Sequence, residues 1–433
     1  MENILAQATK VAEEAEVFVV SSEETPVQFE ANRLKHIQSK QSTTVALRII
    51  RQDRIGYATA TQLEDSQNLV NMAMETAQFG MKAEFEFPPL SSYPQVEIFD
   101  PSIESESVEK MTKLGGEMIA RVRGHTPELL CEASVSKSVA SVRLINSRGG
   151  QASYKQSIFS LGIEGQLTRG TDMLFVGESQ NSCHPLLETG AVTEVVLQQL
   201  EFAKNQATAP TGLLPVIFTP LGVASALVMP LMSGFNGKMV FEGASPIGSK
   251  LGQMVFDEKL SLRDDSTSAY RPTSCPCDDE GVPSQRTPLI ENGVVSNFLY
   301  DLQTAALAKT RSTGSGRRGR GGLPAPSPSA FIIAPGSTSF DEMVSDIKEG
   351  LVVEWLMGAT QGNIEGGDFS GNVLLGYKIE SGKIVGRVKD TMVSGNIYQL
   401  LKQIVAIGSD ARWVGGFLST PPLYFPSVSV ASK

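Results

Sequence analysis

Residues 205–237 carry no charged side chain, and the centre of that run, 213–232, reads LLPVIFTPLGVASALVMPLM. About 20 apolar residues are enough to cross a bilayer as a helix, so this stretch separates a membrane protein from one built around a buried core. Pro215, Pro220 and Pro230 punctuate it, with Gly222 among them. Each proline removes a backbone donor and crowds the preceding helical turn, which a membrane helix tolerates only with help from neighbouring spans. The chain offers no second candidate span, and no Lys/Arg cluster flanks this one to orient it. The stretch therefore reads as a core strand at 214–219, a turn at Pro220 and a buried helix over 221–229. Val216-Ile217-Phe218 is the β-branched and aromatic run that such a strand favours.

The 433 residues suggest two or three domains, and a 41% hydrophobic content supplies an ample core. A net charge of −10 argues against general nucleic-acid affinity. The first twenty residues are acidic where a secretory signal needs a basic region, so a cytoplasmic location is expected. Four cysteines are too few for a disulfide framework in a chain of this length.

Hydrophobic periodicity predicts helices over 2–15, 63–79, 103–122, 191–205 and 394–404. Strands are predicted at 16–21, 25–30, 42–52, 54–61, 129–135, 141–146, 152–158, 161–167, 377–379, 383–388 and 427–430. Gln52-Asp53, Gly149-Gly150 and Ser381-Gly382 are read as turns between strands. The resulting fold class is α+β. An N-terminal α/β region of two units (1–83 and 102–206), joined by a Pro- and Ser-rich linker at 84–101, precedes a strand-rich C-terminal domain at 213–433.

Chemistry-bearing motifs are sparse. His36, His125 and His184 have no second histidine within one or two helical turns, so no short-range metal pair exists. Cys275-Pro276-Cys277, with Asp278-Asp279-Glu280 and the distant Cys183-His184, is a weak metal candidate against the plainer reading of a loop with free thiols. Cys183 beside His184 is an equally weak nucleophile pair, since adjacent residues rarely face each other. Residues 314–322, GSGRRGRGG, lack the G-K-[ST] ending of a phosphate-binding loop. With Arg317, Arg318 and Arg320 they read as a mobile lid in preference to an RNA-binding segment. Residues 361–372, QGNIEGGDFSGN, let one backbone approach another closely and form a tight bend beside a strand.

Taken together these segments resemble the TldD/PmbA family, known as modulators of DNA gyrase and as peptide-processing metalloproteases. The resemblance rests on Asn32-Arg33-Leu34 with Ile37, on residues 45–49 and 54–58, on Gly366-Gly367-Asp368-Phe369-Ser370-Gly371, on Gly376-Tyr377 with 379–383, and on 426–430. One branch of the family carries H-E-x-x-x-H on a C-terminal-domain helix and a later cysteine ligand. The PmbA/TldE-like branch lacks them and pairs with a TldD-like subunit. Anchored on 249–265, that motif falls at 228–233, where Val228, Met229 and Ser233 replace the two histidines and the glutamate. No histidine follows His184 and no cysteine follows Cys277.

The resemblance implies a non-metal-binding subunit with no catalytic residues of its own. It would wall a chamber round an unfolded peptide substrate, and zinc would sit in a TldD-like partner. Gly366, Gly367, Asp368, Phe369 and Ser370 would lie near the peptide, and Arg317 and Arg318 would border an entrance. The alternative is a non-enzymatic adaptor in a gyrase or toxin system, acting as a homodimer. RNA binding through the Arg/Gly loop is a third reading, disfavoured by the net negative charge.

Overall fold

The computed structural model describes residues 1–63, 65–319 and 322–432. In the N-terminal region the elements are α1 (Glu2–Ala8), β1 (Glu14–Glu30), β2 (Arg33–Ile37), β3 (Lys40–Arg51), β4 (Arg54–Ala60), α2 (Ser66–Ala77), α3 (Ser102–Ser105), α4 (Val108–His125), β5 (Leu130–Asn146), β6 (Gln151–Arg169), β7 (Asp172–Ser182) and α5 (Gly190–Phe202). The strands form one antiparallel sheet in the order β4-β3-β1-β5-β6-β7, with β2 on β1. Strand β1 pairs with β3 on one side and with β5 on the other, so both expected N-terminal units contribute to a single sheet.

Several strands are longer than periodicity predicts. The polar stretch Ser22-Glu23-Glu24 falls between two expected strands, yet it pairs residue by residue with β3 and β5. Backbone hydrogen bonds on both sides carry it through. Conversely, the helix expected over 2–15 stops at Ala8, because residues from Glu14 onward join β3. The turn at Gln52-Asp53 has both residues at positive φ (50° and 60°), as a two-residue hairpin requires.

Residues 84–101 hold no helix or strand, but they are anchored rather than free. Phe85, Phe87 and Ile98 are buried, and the Phe87 amide donates to Glu14 Oε2 at 3.0 Å. Helices α1 and α2 cover Val17, Val19, Leu47 and Ile49 on one part of the sheet. Helices α4 and α5 pack with Phe29, Val135, Phe159 and Ile163, and the same cluster continues into Ile217, Val352 and Tyr377 of the C-terminal domain. The α4/α5 layer thus shares a core with both sheets.

The C-terminal domain opens with β8 (Gln206–Ala207), β9 (Gly212–Phe218), α6 (Pro220–Ala226) and α7 (Val228–Gly234). Strand β9 lies between Glu349–Met357, parallel to it, and Leu423–Ser432, antiparallel. Leu423–Ser432 pairs in turn with Thr391–Asn396, that strand with Asp368–Glu380, and Asp368–Glu380 with Glu349–Met357. These five strands close into a ring. Its core includes Val216, Phe218, Val353, Phe369 and Phe425. The hairpin at Ser381-Gly382 is present, both residues at positive φ (51° and 76°). The helix expected over 394–404 is mostly replaced by strand Thr391–Asn396 and a single turn at Ile397–Leu400. A second sheet of six short strands includes Leu262–Asp265, Phe331–Ile333 and Arg412–Val414. No helix among the described residues is long and apolar enough to cross a membrane.

Candidate functional site

The uncharged run folds as strand, cap and two short helices. Thr219 caps α6, its hydroxyl accepting from the Gly222 amide at 3.3 Å, and Pro220 takes the first turn, where its missing donor is harmless. In α7 the side chains of Val228, Pro230 and Leu231 are buried, Met229 is 47% exposed and Ser233 is half-buried. Neither an imidazole nor a carboxylate occurs in α6 or α7. Zinc binds through thiolate, imidazole or carboxylate, and Val228, Met229 and Ser233 do not fit that donor set. Among the described residues, no group of three or more His, Cys, Asp or Glu side chains is placed to hold a metal ion.

The structure joins this helix to the glycine-rich bend through Tyr398. The Tyr398 hydroxyl donates to the carbonyl of Pro230 at 3.0 Å. Gly367 has φ 88°, and a Cβ there would collide with the Tyr398 ring. Asn396 Nδ2 donates to Gly366 O and to Asp368 Oδ1, each at 2.8 Å. The segment holding Gly366, Gly367, Asp368 and Ser370 is therefore clamped beside α7, with Asp368 and Ser370 exposed. Phe369 points the other way. It is 2% exposed and meets Phe218 edge-on, with centroids 6.0 Å apart, inside the ring core. Sequence reasoning missed Tyr398 and Asn396 because both lay inside a segment read as helix.

Arg317 and Arg318 require a correction: neither lines a mobile lid. They sit in strand Gly316–Arg318, paired with Pro324–Pro326. Arg317 Nη2 donates to Thr273 O at 3.0 Å and to Ser329 Oγ at 2.5 Å, and it also meets Cys275 Sγ at 3.0 Å. Arg318 is ion-paired with Glu16, and its amide donates to Asp279 Oδ2 at 2.7 Å. Arg320 and Gly321 lie outside the described residues.

These contacts belong to a buried ionic junction between the N-terminal sheet and the C-terminal loops. Arg48 reaches Glu16 at 3.1 Å and Glu280 at 2.6 Å, and its guanidinium lies 4.9 Å from the ring centroids of both Phe85 and Phe87. Glu280 also accepts from the Leu302 amide at 2.7 Å. Burial pushes its carboxyl up to about 7, against the pull of Arg48. Cys275 and Cys277 are buried in the same region, their thiols pushed up by burial, and Cys275 Sγ lies 3.2 Å from Ser284 Oγ. Cys183 does not work with its neighbour. Its thiol is buried and pushed up to about 12, while His184 pairs with Asp100 at 3.0 Å and stacks on Tyr270.

Three adjoining cavities run where β7 and α5 face the C-terminal domain. The first, about 510 Å³, is lined by Glu30, Glu132, Glu164, Glu178 and Trp355. It shares Glu178, Leu221 and Val414 with the second, about 350 Å³, which shares Val195, Pro220 and Arg412 with the third, about 370 Å³. No sequence signal marked this cleft, because its walls come from residues far apart in the chain.

An N-terminal sheet with a shared helical layer, joined to a closed five-strand ring, defines a two-part α+β protein with a strand-rich C-terminal domain. The profile of the PmbA/TldA metallopeptidase C-terminal domain matches residues 211–432, and that of PmbA/TldA metallopeptidase domain 1 matches residues 15–77. The chain belongs to the PmbA/TldD family. It is 27% identical to an uncharacterized protein of Methanocaldococcus jannaschii, covering 97% of both chains. A metalloprotease of the same organism is 25% identical, over 94% of this chain and 92% of its own. The crystal structure of TldE from Thermococcus kodakarensis shares the fold, with a TM-score of 0.91 at 23% identity and full coverage of both chains.

Proposed function

We propose that this chain is the non-metal-binding, PmbA/TldE-like subunit of a two-component metalloprotease that processes peptides. The observation that carries this reading is a family fold spanning the chain in which α7, the expected seat of the metal motif, bears Val228, Met229 and Ser233. Hydrolysis by zinc needs ligands that leave one position open and a carboxylate to take the proton of the bound water. In this reading the chain binds no zinc, and a TldD-like partner supplies metal and base. The bend at Gly366, Gly367, Asp368 and Ser370, held by Tyr398 and Asn396, presents the exposed Asp368 and Ser370 side chains to an extended peptide. The assembly works in the cytoplasm.

The test is reconstitution. Purified chain, a TldD-like partner and an unfolded peptide are assayed separately and together, with zinc measured in each component. Cleavage is expected only when both chains are present, with zinc in the partner alone. Full cleavage by this chain alone, or an unchanged rate when it is omitted, overturns the proposal.

A further inference from the structure

The third cavity contains a polar constellation outside the α7 bend. Glu354 is 6% exposed, and its Oε1 accepts from Gln199 Nε2 at 3.1 Å. Gln199 is itself fixed: its Oε1 accepts from the Gly177 amide at 2.8 Å, and its Nε2 also reaches Gly177 O at 3.2 Å. Beside Glu354 in the lining stands Tyr377, 1% exposed, whose hydroxyl has no hydrogen-bond partner among the described residues. A buried hydroxyl without a partner is costly. The cation in the lining, Arg412, pairs with Glu178 at 3.4 Å and also draws the Glu354 carboxyl down, so one cation serves both carboxylates. Asp341 and Asp410 add negative charge, while Val195, Phe202, Pro220, Phe340 and Pro422 form apolar walls.

We propose that this cavity is a binding site for a primary alkylammonium group, held between the Glu354 carboxylate and the Tyr377 hydroxyl with its alkyl stem along the apolar walls. The geometry discriminates among cations. A guanidinium is best matched by both oxygens of a carboxylate with their acceptor sites free, and Gln199 already takes one of the two sites on Glu354 Oε1. An ammonium is a compact point charge with three donors, suited to one carboxylate oxygen and one phenol oxygen. Burial raises the Glu354 carboxyl, so occupancy strengthens as pH rises and that group ionises. The ammonium comes from a lysine side chain or from the amino terminus of a peptide. This site goes beyond the two-component reading and holds whether or not a partner exists.

The experiment titrates the full chain by calorimetry at pH 8 with three compounds: N-acetyl-lysine methylamide, norleucinamide, and the neutral isostere N-acetyl-norleucine methylamide. Saturable binding of a cationic compound, with none of the neutral one, is expected. Preference for the first identifies a lysine side chain, and preference for the second a terminal amine. Glu354→Gln is expected to weaken binding by roughly tenfold or more, and Tyr377→Phe by roughly threefold or more. Tyr377→Phe removes an unpartnered hydroxyl, so the variant should be at least as stable as the parent, and circular dichroism checks that both variants are folded. The proposal is overturned if the neutral isostere binds as well as the amines, if no amine saturates the wild type, or if folded Tyr377→Phe and Glu354→Gln bind as tightly as the parent. Should Glu354→Gln fail to fold, the isostere comparison and Tyr377→Phe still decide.

Discussion

Replacing Arg48 by methionine removes the cation at the centre of the buried junction while keeping much of its apolar volume. Arg48 contacts two carboxylates and two aromatic rings, and its side chain is 2% exposed. Burial opposes its charge, but Glu16 and Glu280 more than compensate and raise its pKa. Taking one partner from a buried ion pair costs about 3–5 kcal/mol, mostly because the other charge is left uncompensated. Arg318 still pairs with Glu16, so the orphaned group is Glu280. We expect a loss of about 4 kcal/mol at pH 8, a large share of the ~5–15 kcal/mol that stabilises a typical protein.

The pH dependence has a definite sign. Glu280 sits at about 7 in the folded chain against an ordinary 4.5, so the native state holds its proton more tightly than the unfolded one. That group therefore costs stability as pH rises from 4.5 through 7. Without Arg48 its carboxyl moves higher still, so the penalty of the variant grows with pH and shrinks at pH 5. Guanidinium denaturation at pH 5 and pH 8, followed by circular dichroism and by tryptophan fluorescence, measures this. Both tryptophans, Trp355 and Trp413, lie in the C-terminal domain, so coincident transitions would mean that sheet and ring unfold together. The double variant Arg48→Met/Glu280→Gln should recover at least about 1.5 kcal/mol. A loss below about 1 kcal/mol at pH 8, a loss that does not shrink at pH 5, or strict additivity of the two changes would refute the ionic account.

Three further outcomes follow from the site. Gly367→Ala places a side chain at φ 88° against the Tyr398 ring, and should lower stability by about 2–4 kcal/mol in thermal unfolding, whereas Tyr398→Phe, which loses only the bond to Pro230, should cost about 1 kcal/mol. All four cysteines are free and buried, so a thiol reagent at pH 8 should label the native chain slowly and titrate four thiols only after denaturation. Met229→Glu and Ser233→His fall on accessible positions and should fold, while Val228→His puts a polar ring into the core and should cost about 2 kcal/mol or more by denaturant titration.

Local chemistry made part of this fold legible. Gln52-Asp53, Gly149-Gly150 and Ser381-Gly382 announce turns through backbone preferences that act over two residues, and Pro220 announces the break between β9 and α6 in the same way. Strand length was less visible, because Ser22–Glu24 and Ser136–Ala140 are held by partners on both sides that no local pattern encodes. The functional geography was least visible. Arg48 is 32 residues from Glu16 and 232 from Glu280, and Arg318 is 302 from Glu16. A glycine- and arginine-rich segment with no local partners reads as a mobile loop, yet Arg317 and Arg318 close a junction assembled only by the tertiary fold. Gly376-Tyr377 had entered as a family pattern without a task. Its hydroxyl became informative only once Glu354 and Gln199 stood beside it.

The uncharged run also explains how the segment around α7 is held in place. Strand β9 is held on both sides within the closed ring, and Gly222 brings α6 against the backbone of Val353. Helix α7 is fixed from below by Val228 and Leu231, each 1% exposed and each contributing about 1.5–3 kcal/mol by burial, and from the side by Tyr398. None of these forces passes through a ligand set. Because the burial of Val228 and Leu231 and the Tyr398 hydrogen bond position α7, changes at 229 and 233 should alter the surface without altering the frame that presents it. The frame continues into the bend at Gly366–Ser370, where Asn396 ties down Gly366 and Asp368. In the proposed reading, a wall held in this way is what a subunit needs when its contribution is to hold a peptide for a neighbour.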